Sequence, residues 1–202
     1  MGSLRFGTAV RDITPRYPVW AHGYSGRTRQ SSGVLEPLSL GCLAVSDGNE
    51  KVLIVTLDMI GVRGYVCEEL YALLKEEVGI GFPNVMISGS HTHFAPAVHG
   101  MAFNDPEIGH VGPDPSYVEM LKAKLVEAAR ESLGGLQPGQ LDTVRMPVPA
   151  MLYNRRTRTA DGNVRNCLLY PEDPSEYTFS PVDDQLTVLR VRQEDGVSAV
   201  LA

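Results

Sequence analysis

An α/β fold, with a mixed β-sheet core, flanking helices and a βαβ unit, is what the sequence predicts. Three observations predict it. Apolar, β-branched runs with strand character recur at Leu4–Ile13, Leu38–Val45, Lys51–Leu57 and Asn84–Ser90. Helical periodicity marks Gly64–Val78 and the stretch from Pro115 to Gly134. Strand, helix and strand then follow one another between Lys51 and Ser90.

Leu4 to Ile13 reads as extended. Pro15 and Pro18 exclude continued regular structure, and Ala21 to Ser32, rich in Gly, Arg and Ser, reads as an exposed loop. Leu38–Val45 and Lys51–Leu57 flank Ser46-Asp47-Gly48-Asn49; Asp-Gly is a strong hairpin signal, so these strands are expected to pair antiparallel. Gly64–Val78 sets Val66, Leu70, Leu73 and Leu74 on one side of a helix, away from Glu68, Glu69, Lys75, Glu76 and Glu77, and Gly79 ends it. Asn84–Ser90 returns to strand. The result is a βαβ unit, whose two parallel strands, joined by a right-handed crossover, open on one edge of the sheet.

Pro115 opens the second helix, with Val118, Leu121, Leu125, Ala129 and Leu133 on its core face and Gly134-Gly135 at its end. Leu141–Val148 and Gln185–Val191 read as strands. Met151–Pro181, with six Arg or Asp residues, reads as a long polar loop of the functional or disordered kind. Val197–Ala202 is apolar and strand-like with no turn, cap or polar tail after it, so the fold is expected to be incomplete at the C-terminus.

The 202 residues are 43% hydrophobic and 21% charged, the composition of a globular chain long enough for one sizeable core. A net charge of −6 argues against a nucleic-acid partner, because neutralising phosphates needs clustered Lys and Arg in excess of acids. A small molecule is the expected partner. No membrane span is written here; Met1–Val10 contains Arg5 with no apolar block behind it, so no signal peptide is visible and a cytoplasmic location is favoured. Phe6 stands where myristoylation requires Ser or Thr. Cys42, Cys67 and Cys167 are odd in number and lack a C-x-x-C pair, which predicts small buried thiols rather than disulfides or a cysteine metal site.

The segment Ile87-Ser88-Gly89-Ser90-His91-Thr92-His93-Phe94-Ala95-Pro96 carries the strongest chemical signal. In extended backbone, residues two apart point to the same side, so His91 and His93 are expected to address one pocket. Neutral imidazole is a common zinc ligand. Asp58 follows the neighbouring parallel strand, so Asp58 and His91 fall together at strand carboxyl ends, where open α/β sheets place their ligands. A carboxylate there can bind metal or orient the imidazole. The plainer readings are loop histidines satisfied by backbone hydrogen bonds and an aspartate that caps a strand end.

His22, His99 and His110 lie in Gly-rich or Pro-rich loops and read as solvated. Ser88 or Ser90 with His91 as base would make a metal-independent hydrolase, but neither serine sits in a G-x-S-x-G elbow. Arg155, within Tyr153-Asn154-Arg155-Arg156-Thr157-Arg158, is either part of a solvated charge run or a guanidinium that grips a carbonyl or carboxylate.

Five motifs in order, Gly7-Thr8-Ala9-Val10-Arg11-Asp12-Ile13-Thr14-Pro15, Gly23-Tyr24, Leu57-Asp58, Ser90-His91-Thr92-His93 and Asn154-Arg155, resemble the neutral/alkaline non-lysosomal ceramidases across nearly the whole chain. The resemblance implies that residues 1–202 are the N-terminal portion of a catalytic domain that cleaves an N-acyl amide, of ceramide or a related lipid-like substrate, with one zinc held by two histidines, a glutamate and a tyrosine. It makes His91 the first zinc ligand, His93 and Arg155 the groups near the scissile amide, and Asp58 a carboxylate at the site edge. The remaining ligands are expected beyond Ala202, which would leave this stretch inactive or weakly active alone. Two departures stand out: Phe94 replaces the family's frequent serine, and Leu35-Glu36-Pro37 replaces a stretch where histidine is common. A noncatalytic binding domain that keeps the fold is the alternative.

Overall fold

The computed structural model describes residues 4–24, 27–99, 112–149 and 151–202. Two compact units divide the chain: Met1–Gln140 with Val191–Ala199, and Leu141–Arg190 with Val200–Ala202.

In the first unit, β1 (Arg5–Asp12), β2 (Ser39–Ser46) and β3 (Lys51–Leu57) form an antiparallel meander. The turn between β2 and β3 holds the Asp-Gly pair that the sequence marks. α1 (Gly64–Val78) ends at Gly79 in left-handed conformation, and β4 (Val85–Gly89) returns parallel to β3, with Val55 opposite Ile87. α2 (Pro115–Gly134) and β5 (Gln137–Pro138) complete the unit. The sheet order β4-β3-β2-β1-β5 is mixed, as expected, and the βαβ unit occupies one edge.

Alternate residues of β2 (Leu40, Cys42, Ala44) and β3 (Leu53, Val55, Leu57) point to one face. There they meet Val66, Leu70 and Leu74 of α1 and Tyr117, Leu121, Leu125, Ala128 and Ala129 of α2. Each large apolar side chain so enclosed contributes about 2 kcal/mol of transfer free energy. Among the described residues Val10, Val52 and Met86 are exposed.

The α2 stripe differs from the sequence reading. Val118 and Leu133 are only partly buried, while Tyr117, Ala128 and Ser132 are enclosed. Backbone approach is the reason: a Cβ at Gly7 on β1 would lie 2.0 Å from the Ser132 carbonyl oxygen, so glycine lets the small-residue side of α2 settle directly on the strand. Asp114 caps the helix by accepting from the Ser116 and Tyr117 amides at 2.9 and 3.1 Å. Arg11 on β1 pairs with Glu127, at 3.3 Å, and with Glu131 on α2.

Cys42 is buried as expected, and desolvation pushes its thiol up to about 12. Cys67 and Cys167 are only half-buried, which corrects the expectation of three enclosed thiols. None of the three forms a disulfide.

The second unit overturns the long polar loop. Within Met151–Pro181, β7 (Arg156–Thr159) pairs antiparallel with both β8 (Val164–Asn166) and β9 (Tyr177–Phe179), and a short 3₁₀ turn (Pro174–Glu176) precedes β9. The ring contacts Tyr153–Tyr170 at 5.2 Å and Tyr170–Phe179 at 5.4 Å give this small sheet a packed aromatic cluster, which charge counting along the sequence does not reveal. β6 (Gln140–Pro147), β10 (Gln185–Gln193) and β11 (Gly196–Leu201) form a further sheet in the order β11-β10-β6, so the apolar segment near Ala202 is an edge strand paired with β10. No helix among the described residues is long and apolar enough to cross a membrane.

Candidate functional site

Because β3 and β4 are parallel neighbours, the segments that leave their carboxyl ends lie side by side. Backbone bonds tie them together: Ser90 N–H donates to Leu57 O at 2.9 Å, and His91 N–H to Met59 O at 3.0 Å. β4 stops at Gly89, and His91 has φ = 62°, in the left-handed region that costs a residue with a Cβ about 1–3 kcal/mol. Extended-strand geometry is therefore not what relates His91 to His93. The chain turns here, and the two rings meet edge-on with centroids 5.0 Å apart.

The turn fixes the His91 ring. Its Nδ1 lies 2.6 Å from the Ile60 carbonyl oxygen. A carbonyl oxygen can only accept, so Nδ1 is the donor, and in the neutral imidazole Nε2 keeps its lone pair on an exposed ring.

His93 is half-buried. Its Nδ1 is enclosed, with no hydrogen-bond partner among the described residues, and its ring lies 4.7 Å from that of Tyr24. Tyr24 reaches it because a two-stranded contact joins their loops: Ala21 bridges Pro96, and His22 N–H donates to Ala95 O at 2.8 Å. Gly23, with φ = 113°, makes the approach possible; a Cβ there would lie 2.5 Å from His93 Cγ.

His22 and His99, expected to be solvated, are buried at 7% and 6% exposure, with ring centroids 4.9 Å apart. Their loops fold back on the sheet end, packing with Ala21, Ala95, Ala97 and Val98 in the enclosed interior. Burial foremost, then the charges of His99, Arg63 and His93, lowers the pKa of His22 from its ordinary value. His110 lies outside the described residues.

Asp58 sits one residue past β3. Its Oδ2 accepts from Ser39 N–H at 2.9 Å and from Ser39 Oγ at 2.7 Å. Partial burial raises its pKa, but the Ser39 bonds and one from Ser90 outweigh burial and hold the carboxyl below its usual value. Asp58 thus braces the start of β2 and the residue before His91 while lining a cleft. Arg155 belongs to the second unit, where it is exposed and its carbonyl accepts from Cys167 N–H at 2.7 Å.

That cleft, about 1050 Å³, is bounded by Asp58, Thr92, Phe94, Arg27 and the segments 14–19 and 28–38. Sequence reading missed Arg27. Its Nη2 donates to the His93 carbonyl at 2.7 Å, its Nε is enclosed without a partner among the described residues, and Tyr24 and Phe94 flank its guanidinium at 5.3 and 5.2 Å. The only sequence trace was an Arg-rich loop in an acidic chain. Three of the four enclosed side-chain polar atoms without partners among the described residues belong to His22, Arg27 and His93, so unsatisfied hydrogen-bonding capacity gathers at this end of the sheet.

A ligating histidine characteristically donates its second N–H to a carbonyl or carboxylate, which sets tautomer and orientation. His91 meets that test through Ile60, so its donor chemistry fits zinc. No group of three or more His, Cys, Asp or Glu residues among the described ones has metal-holding geometry.

A family model described as "Neutral/alkaline non-lysosomal ceramidase, N-terminal" matches residues 4–202. In fold the chain is similar to the crystal structure of neutral ceramidase from Pseudomonas aeruginosa, with a TM-score of 0.72 and 19% identity over 99% of this chain and 31% of that one. It is also similar to a ceramidase complexed with C2, with a TM-score of 0.73 and 20% identity over 99% of this chain and 30% of that one. The chain therefore spans about a third of the length of these solved structures.

Proposed function

The chain belongs to the neutral/alkaline non-lysosomal ceramidase family, and from that premise we propose that it forms the N-terminal portion of a zinc-dependent hydrolase that cleaves an N-acyl amide bond, of ceramide or a related acylated compound. The observation that carries the metal part is the His91 ring, protonated at Nδ1 by its bond to Ile60 and presenting a bare Nε2 beside the parallel strand ends.

In this reading His91 holds the metal through Nε2 and contributes one ligand of the set. When bound, zinc supplies Lewis acidity that makes hydroxide available near neutral pH. Amide hydrolysis adds the oxygen of one water to the acyl carbon, breaks the C–N bond and gives a proton of that water to the departing amine. His93, with its ring 5.0 Å from that of His91, is assigned to the carbonyl side, where an imidazole N–H stabilises negative charge as it develops on oxygen. Ring contact with Tyr24 and the hold of Arg27 on its carbonyl limit its motion. Asp58 keeps the two strand ends together and marks the cleft edge. The role of Arg155 in polarising the amide is carried by the family resemblance alone.

Zinc content and affinity test the proposal, measured on this chain, on the full-length gene product that contains it, and on a His91→Ala variant of each. The expected result is stoichiometric zinc in the full-length product, lost with His91→Ala, and weak binding in the 202-residue chain, because a tight catalytic site takes three protein ligands. A full-length product that binds no zinc, or binds it equally well without His91, overturns the assignment and favours a noncatalytic binding domain.

A further inference from the structure

We propose that Arg27 anchors a single carboxylate on the substrate, so that the N-acyl compounds received by this cleft carry an acid group, as N-acyl amino acids do. The acyl part of this inference rests on the amide-hydrolase reading; the acid part rests on the geometry around Arg27.

Arg27 is pinned before any ligand arrives. Its Nη2 donates to His93 O at 2.7 Å, and the Tyr24 and Phe94 rings flank the guanidinium at 5.3 and 5.2 Å. Cation–π contact on two rings holds the planar group in one orientation, so little side-chain entropy remains to be lost on binding. The hydrogen bond to His93 uses one of its five N–H donors. Its Nε is enclosed and unsatisfied, and no carboxylate among the described residues lies within ion-pair distance of it. The enclosed Nε is out of reach of a ligand, so a carboxylate in the cleft would meet the remaining N–H groups of Nη1 and Nη2, and an anion there offsets the cost of the partly desolvated cation.

The position and charge of the cleft select the anion. Arg27 lines the same 1050 Å³ space as Asp58 and Phe94, and its contact with His93 sets it beside the proposed reaction centre. Three arginines (Arg16, Arg27, Arg29) and three carboxylates (Asp12, Glu36, Asp58) line that space. Arg16 is already engaged, 3.6 Å from Asp12. A balanced lining of this kind admits one negative charge at Arg27 and opposes a dianionic phosphate. A guanidinium edge matches the planar carboxylate, while Tyr24 and Phe94 supply apolar faces for the adjoining methylenes.

Calorimetric titration of the purified chain with N-lauroylglycine, neutral N-lauroylethanolamine and the phosphate ester of that ethanolamide, each below its micellar concentration, tests the inference. The acid is expected to bind about tenfold tighter than the neutral amide, the worth of one charge-assisted pair. Added salt should narrow that gap. In Arg27→Gln the preference for the acid over the neutral amide should vanish. Where circular dichroism shows that Arg27→Gln does not fold, Arg27→Lys replaces it; this variant keeps the charge, loses the fork and is expected to retain a reduced preference. Equal wild-type affinities for acid and neutral amide, a preference that survives Arg27→Gln, tighter binding of the phosphate ester, or binding of none of the three would each overturn the assignment. The readout is binding rather than turnover or zinc content, so its failure leaves the His91 reading standing, and loss of zinc at His91 leaves this test intact.

Discussion

Replacing Gly23 with alanine strikes the point where the fold and the candidate site depend on one another. The added Cβ would lie 2.5 Å from Cγ, 2.6 Å from Nδ1 and 2.9 Å from Cβ of His93, so the imidazole would have to retreat by about 1 Å to restore ordinary van der Waals contact. Overpacking of this kind costs about 1–3 kcal/mol. Gly23 also has φ = 113°, a conformation that costs a residue with a side chain a further ~1–3 kcal/mol. Together they predict that Gly23→Ala destabilises the first unit by about 2–6 kcal/mol, which for a chain of this size lowers the midpoint of thermal unfolding by roughly 4–24 °C. Differential scanning calorimetry measures the shift, and ¹³C–¹H imidazole spectra report the His93 ring. The ring resonances should move in the variant, because Tyr24 and the His93 backbone contact with Arg27 are displaced with it. A variant within about 0.5 kcal/mol of wild type, the spread of neutral surface changes, with unmoved His93 signals would refute the reasoning.

Removing the Asp58 carboxylate in Asp58→Ala deprives Ser39 N and Oγ of their shared acceptor, and the half-exposed position limits the expected loss to about 1 kcal/mol in urea unfolding; Asp58→Asn, which keeps an acceptor oxygen, should recover part of it. The lowered pKa of the buried His22 makes a signed prediction about acid. A histidine that resists protonation when folded leaves the unfolded chain to bind the extra proton, so its contribution is fully present above the unfolded value of about 6.5. Stability should therefore decline as pH falls below that value and level off once the lowered folded pKa is passed. His22→Leu should flatten this part of the denaturation profile, and an unchanged profile would count against His22 as its source.

Much of the first unit was legible because its signals are local. The Asp47-Gly48 turn, the Val66/Leu70/Leu74 spacing and the Gly79 stop each act within a few residues, and the helix Gly64–Val78 and the strand Lys51–Leu57 form with the predicted bounds. The α2 face was legible only in part, because Gly7, over a hundred residues away, decides which side of that helix comes close to the sheet. The Met151–Pro181 sheet was missed because its strands are short and polar and its stabilising rings, Tyr153, Tyr170 and Phe179, are scattered in sequence. In the candidate site, the sequence singled out His91, His93 and Asp58 from their places at strand ends, but the backbone form it assumed for the histidines was wrong: His91 lies in a left-handed turn.

The sequence by itself determined the mixed α/β class, the βαβ unit and the resemblance to ceramidases, because periodicity, turn chemistry and ordered motifs are properties of neighbouring residues. Only the tertiary structure decided that His91 commits Nδ1 to Ile60 and bares Nε2, that His22 and His99 are interior, and that Arg27 waits between Tyr24 and Phe94 with donors unspent. Those outcomes depend on which carbonyl, ring or loop arrives opposite a side chain. That is fixed when the Ala21–Pro96 contact closes two loops about seventy-five residues apart over the ends of β3 and β4, and no local pattern encodes it.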